Sequence, residues 1–319
     1  MNLSEIQKKW LWFGARFAIT FVLLTLLLQA VNADSFFSQI RRVGILPFAL
    51  GAASYLIATA LNTFRWHLLL NARQILVPLR QLFAYNFSYT FYTVVLPGGR
   101  IAAEAMRIYQ IVRDHASPEL RGHAITSAFL DRIVAFLSFA AIVAAFFIFT
   151  PQAAATFSLW AIIVATVVVA TAMLFAIGPP AFIIRPFERF LPRTVVSIFL
   201  GDSPSYRITL LGWIGAIFFS LAADGVFALG AYAIALELGI YVPFFVMLAT
   251  FSIGMVAASV PLTIAGIGLR EGAFAGALVI LGGISAESAA VISAVMLVSS
   301  LAVVLLGGLI EFHRHFLRT

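Results

Sequence analysis

The stretch VPLTIAGIGLREGAF, residues 260–274, decides how this chain is read. It holds Pro261, the glycines 266, 268 and 272, and the adjacent pair Arg270–Glu271, with apolar sequence on both sides. An uninterrupted apolar run of this length would cross a membrane as a helix. Here a proline, glycines and two charges stand where hydrocarbon is expected. In a bilayer, unbonded backbone groups are tolerated only when buried in protein or lining a wet cavity. The stretch therefore reads as the tip of a re-entrant hairpin: one apolar arm over 243–260, the break, and a second arm to about residue 281.

Composition sets the frame for that reading. Of the 319 residues, 62% are hydrophobic and only 10% charged. A soluble domain carries about 25% charged residues, so the chain is an all-α polytopic membrane protein; a barrel would instead show short alternating strands. The net charge of +7 is loop charge facing anionic lipid and does not argue for nucleic acid. With no cysteine there is no thiolate nucleophile or thiolate metal site, and the five histidines lack metal-ligand spacing. No nucleotide-binding or nucleophile motif is present, so no cofactor and no enzymatic activity are expected. Lys8 and Lys9 precede an apolar run of about twenty residues, longer than a signal core, so that run is expected to stay as the first span.

Six segments are long enough to span: about 12–31, 45–64, 124–149, 157–178, 208–235 and 287–310. A second interrupted region covers 82–112, with PGGR at 97–100. Basic residues concentrate before the first span and in the segments 65–80, 100–122 and 179–207, whereas 150–156 has none. The positive-inside rule then places both termini in the cytoplasm of a bacterial inner membrane, with Arg41 and Arg42 as exceptions on the outside. The count closes only with two re-entrant hairpins, one entering from each side. The expected architecture is six full spans plus two hairpins in a single membrane domain, 1–319. Residues 1–150 form a first repeat and 151–319 an inverted second one. Pro97 and Pro261 lie 164 residues apart, and two of the three pairs of corresponding spans share that offset to within a few residues, the first pair being closer at about 145. Inverted repeats with broken helices are a common transporter plan.

Ionisable residues inside a membrane mark function by default. In the first hairpin Arg100, Glu104 and Arg107 share a helix face behind the Pro-Gly-Gly break, where free N–H groups and a positive helix end suit a phosphate. In the second, Gly266 and Gly268 open the backbone ahead of Arg270 and Glu271. Neighbours on a helix point apart, so Arg270 and Glu271 are expected to find partners other than each other. Asp131 and Arg132, early in the third span, either bind substrate or anchor the first hairpin. Asp224, deep in the fifth span, pairs with an arginine or carries a proton.

These motifs resemble those of a known family, the flippase-like membrane domain of the lysylphosphatidylglycerol synthase (multiple peptide resistance factor) superfamily, over nearly the whole chain. The first motif, a Pro-Gly followed by Gly-Glu-x-x-Arg, falls on Pro97, Gly98, Ala103, Glu104 and Arg107. The second, Pro-Gly-Gly-Ile-Gly-Val-Arg-Glu, falls on residues 264–271, and DRIVAF at 131–136 is similar to the segment after the first motif. Ala103 replaces a glycine, and Ile264 and Ala265 replace Pro-Gly; the Arg–Glu chemistry is retained. The resemblance implies movement of a lipid with an anionic or zwitterionic headgroup between leaflets. With no soluble synthase block in this sequence, lysyl transfer is not expected. A central cavity lined by Arg100, Arg107 and Arg270, balanced by Glu104, Glu271 and Asp224, would hold the headgroup. The rival readings are an integral-membrane transferase acting on a lipid headgroup and a non-catalytic partner of a glycosyltransferase. A lipid-modifying enzyme and a second copy of the chain are the protein partners such readings admit.

Overall fold

The apolar runs fold as helices. A computed structural model describes residues 14, 17–22, 25, 29, 31–96, 99–150, 208–259, 263 and 266–316, and among them there is no strand. In chain order the helices are α1 (Ala33–Arg42), α2 (Ile45–Asn71), α3 (Leu79–Val95), α4 (Gly99–His115), α5 (Arg121–Phe149), α6 (Leu210–Glu237), α7 (Phe244–Ala258), α8 (Leu269–Gly282) and α9 (Ala286–Phe316); a 3₁₀ turn, Pro118–Leu120, precedes α5. Four of them, α2, α5, α6 and α9, are long and apolar enough to cross a membrane. They fall on four of the six expected spans. The expected span 157–178, half of 12–31 and the loop 179–207 lie outside the described residues.

The two interrupted regions each form a pair of short helices. α3 and α4 have 17 residues each, α7 has 15 and α8 has 14. At 1.5 Å per residue these are about 21–26 Å long, short of a hydrocarbon core of about 30 Å. α7 and α8 pack on each other, and α8 also packs on α9.

One element differs from expectation. Residues 33–42, left unassigned between the first two expected spans, form the amphipathic helix α1. Asn32 is its N-cap, accepting from the Ser35 amide at 3.0 Å, which satisfies one of the free N–H groups of the first turn. Phe36 is buried while Phe37, Arg41 and Arg42 are exposed. The two arginines occupy the last turn, where the helix dipole favours cations. α1 rests against α9, and the Asn32 amide donates to Glu287 Oε1 at 3.2 Å.

The chain divides into two compact units, each drawing on both halves of the sequence. The first comprises Met1–Thr59, Asn86–Met106 and Asp224–Thr319; the second comprises Ala60–Tyr85 and Arg107–Ala223. Inside the first unit, helices approach through small residues, the usual device where hydrocarbon gives no hydrophobic drive. Gly51 of α2 faces Ser299 of α9, Gly230 of α6 faces Ser54 of α2, and Gly307 of α9 abuts the Phe87 carbonyl of α3. Hydroxyls in these seams are satisfied locally or across them: Ser54 donates to the Gly51 carbonyl at 2.7 Å and Thr90 to the Val303 carbonyl at 3.3 Å. The second unit has a dense core in which Trp66, Leu69, Leu70, Ile75, Leu82, Ile111 and Val134 are almost fully buried. On α5 the buried positions 124, 127, 128, 131, 134 and 138 follow one helical stripe.

The glycine seam gives a controlled prediction. A methyl group on Gly307 would overlap the Phe87 carbonyl oxygen, whereas one on Gly276 of α8 meets nothing within 4 Å. Gly307→Ala should therefore cost about 1–3 kcal/mol of stability by overpacking. Gly276→Ala should be neutral or gain up to about 1 kcal/mol from helix propensity. Thermal unfolding in detergent checks both; equal melting temperatures for the two variants would contradict the seam.

Candidate functional site

The break between α7 and α8 is built by two glycines in backbone conformations closed to other residues. Gly266 has φ +81° and Gly268 φ +89°. A side chain on Gly266 would also stand 2.8 Å from the Ala258 carbonyl oxygen, so glycine is required there on two counts. The turn delivers the chain into α8 with its first N–H groups unpaired by the helix. Glu271, the third residue of α8, meets this demand: its Oε2 accepts from the Gly268 amide at 2.7 Å, and the residue is 2% exposed.

The other carboxylate oxygen holds Arg270. Oε1 accepts a hydrogen bond from Arg270 Nε at 2.7 Å and forms an ion pair with Nη2, also at 2.7 Å. This corrects the expectation that the two neighbours would point apart. That rule holds for mid-helix side chains; here the Glu271 side chain bends back over the helix end to reach Gly268, which brings it beneath the arginine. A guanidinium has five N–H donors. Glu271 engages one edge, and among the described residues Arg270 makes no other hydrogen bond, so its Nη1 end is uncommitted.

Two further groups of the first unit stand at this point. The Arg270 guanidinium carbon lies 5.8 Å from the ring centre of Tyr55 on α2, and Arg100, in the first turn of α4, is within electrostatic reach of the Tyr55 phenol. The Tyr55 ring is fixed edge-on against Phe227 of α6 at 4.9 Å; Phe227 stacks on Phe251 of α7 at 5.2 Å, and Phe251 meets Phe274 of α8 at 5.9 Å. Aromatic rings from four helices thus hold the arginine end of α8 in place.

The second unit contains a different arrangement. Asp131 of α5, 1% exposed, accepts from Arg65 Nε at 2.7 Å and from Arg107 Nη2 at 3.3 Å. Arg107 stacks over the Trp66 ring at 3.9 Å. Arg65 also donates to Ser220 Oγ of α6 at 2.9 Å, and Ser220 and Ser138 of α5 share a hydrogen bond of 2.8 Å. One carboxylate and two hydroxyls thereby tie together α2, α4, α5 and α6. At the end of α4, the Asp114 carboxyl is held down to about 2, chiefly by the hydrogen bonds from Arg113 and also by the Tyr85 hydroxyl, which donates at 2.7 Å.

The sequence-derived residues divide between the units. Arg100, Glu104, Asp224, Gly266, Gly268, Arg270 and Glu271 belong to the first; Arg107, Asp131 and Arg132 to the second. Glu104 and Arg132 are half-buried and Asp224 is buried in α6. Asp131 takes Arg65 and Arg107 as its hydrogen-bonding partners rather than its neighbour Arg132, which contributes only at longer range. Sequence reasoning missed Arg65 and Tyr55. Arg65 had been counted as loop charge, although the apolar run around it continues to residue 70. Tyr55 carried no signal beyond one hydroxyl in an apolar helix.

The Asp131 cluster predicts a stability effect. Asp131→Asn removes the carboxylate that both arginines contact and should cost about 3–5 kcal/mol, the usual penalty for breaking a buried ion pair. Adding Arg65→Met should recover part of it. Thermal unfolding of the single and double variants measures this; a single variant that melts with the parent would show that the cluster does not hold the unit.

No curated protein matches the chain. The family model described as the lysylphosphatidylglycerol synthase TM region matches residues 14–308. With that match covering nearly all of its length, and with four helices fit to span a bilayer, the chain is a multi-pass membrane protein that belongs to the lysylphosphatidylglycerol synthase TM region family.

Proposed function

We propose that the protein moves a polar-headgroup lipid between the leaflets of a bacterial cytoplasmic membrane and is a transporter, not an enzyme. The observation that carries this reading is Arg270: a half-buried guanidinium at a helix N-terminus, half neutralised by Glu271, with donors left over on its other end. A half-buried cation with spare donors beside a second arginine suits an anionic headgroup. The family match supports the same reading. Arg100 supplies the second positive charge, and the positive dipole ends at the starts of α4 and α8 add to it. On this reading α3–α4 and α7–α8 are re-entrant, entering from the cytoplasmic and outer sides, with both termini inside. Their lengths, below that of a full span, support it.

Two experiments test the proposal. Purified protein in liposomes should accelerate movement of a fluorescent phospholipid, read by quenching of the outer leaflet. Arg100→Gln with Arg270→Gln should slow that movement at least about tenfold, the loss of one to two charge-assisted hydrogen bonds; equal rates would overturn the site assignment. Formation of a new lipid product by the purified protein with a headgroup donor would favour a transferase instead. For the hairpin, cysteines introduced as Ile240→Cys and Ile284→Cys should both label from the outer side of intact cells, and labelling from opposite sides would remove the re-entrant α7–α8.

A further inference from the structure

Among the described residues, the first unit buries a hydroxyl that no neighbour bonds. Tyr55 is 8% exposed, and its phenol oxygen has no hydrogen-bond partner among the described residues. Leaving a buried O–H without an acceptor is costly, and the ring has no need of it: its packing is against Phe227, which a phenylalanine would keep. The charged groups acting on that oxygen are Arg270, Glu271 and Arg100. The Glu271 carboxylate is engaged by the Gly268 amide at Oε2 and by Arg270 at Oε1, and the Tyr55 hydroxyl does not donate to it. The Tyr55 phenol thus stands in an aromatic wall with the Arg270 guanidinium carbon 5.8 Å from its ring centre, and its O–H and the uncommitted Nη1 end of the guanidinium both have a proton to give.

We infer that Tyr55 and Arg270 form a two-donor cradle for an anionic phosphate oxygen, the Tyr55 hydroxyl and Arg270 Nη1 each giving one hydrogen bond. The ligand chemistry is a phosphate group, from a lipid headgroup or from a soluble phosphate ester. A guanidinium that only donates, beside a phenol that can donate, favours an anionic oxygen over a cationic headgroup. This inference rests on the headgroup site proposed above, and it adds Tyr55 as the residue that sets which headgroup atom is held.

Tyr55→Phe is the decisive variant because it removes one oxygen and nothing else. In detergent without added lipid it should melt at or above the wild-type temperature, since an unsatisfied hydroxyl is gone. Phosphatidylglycerol titrated into the micelles should raise the melting temperature of wild type, and Tyr55→Phe should need about tenfold more for the same effect, the loss of one hydrogen bond to a charged oxygen. Diacylglycerol, which lacks the phosphate, should not separate the two proteins. Glycerol phosphate added in water should separate them if the cradle takes a free phosphate ester, and should leave both unmoved if it takes only the lipid. A Tyr55→Phe protein less stable than wild type without lipid, or identical to it with phosphatidylglycerol and glycerol phosphate, overturns the inference. The transport reading fails separately: wild-type liposomes that move no lipid would sink it, while the binding difference at Tyr55 would still stand.

Discussion

Much of the first unit's charged chemistry depends on one carboxylate, that of Glu271, being shared between a backbone amide and a guanidinium. A membrane interior gives a broken helix no water with which to satisfy its first N–H groups. Glycines at 266 and 268 make the turn, and at the N-cap position glycine brings no side chain with which to close it. Glu271 supplies the missing acceptor from three residues downstream. Once its carboxylate is drawn to the helix end, a buried negative charge needs a counterion, and the adjacent Arg270 is in reach. The backbone requirement thus fixes the carboxylate, and the carboxylate fixes the arginine.

The contrast with Asp131 separates two uses of buried charge. Asp131 receives hydrogen bonds from two arginines, one of which is also bonded to Ser220 and the other stacked on Trp66. Its neighbours converge on it from separate helices, and the result is a fastening. Breaking such a cluster destabilises; it does not leave a site ready for a ligand. Arg270 is instead held by its own neighbour along one edge, and among the described residues its remaining donors make no hydrogen bond. Position in the chain explains the difference: ion pairs between helices tie elements together, whereas a pair within one helix end orients a charge.

The long helices were legible because twenty apolar residues have few alternatives. Ile45–Asn71, Arg121–Phe149, Leu210–Glu237 and Ala286–Phe316 follow their apolar runs to within a few residues at the N-terminal ends. The C-terminal end of α2 ran past its expected limit because Arg65 is neutralised by Asp131, a partner 66 residues away that no local pattern reveals. α1 was missed for the opposite reason: its polar majority resembles a loop, and only the Asn32 cap and the closing Arg41–Arg42 pair mark a helix. The glycine-rich break and its charged pair were visible in the sequence, but the pairing of Arg270 with Glu271 was not. It follows from the helix end, where side chains bend back, and not from the spacing rules of a helix interior. Tyr55 could be found only from structure, since its importance lies in what its hydroxyl fails to contact.

On the proposed transport reading, a half-neutralised arginine is a compromise suited to binding a headgroup and then releasing it. A bare guanidinium in a buried setting would cost several kcal/mol to hold in the apo protein and would grip an anion too firmly to let it go. An arginine engaged on both edges, as in a structural cluster, would offer nothing. Glu271 lies between these limits: it satisfies one edge, lowers the net charge seen by an incoming headgroup, and leaves the other end to attract it. Conduction past a site requires binding strong enough to enter and weak enough to leave. On the transport reading, the same carboxylate that lets the helix break inside the membrane also keeps the site it creates from becoming a trap.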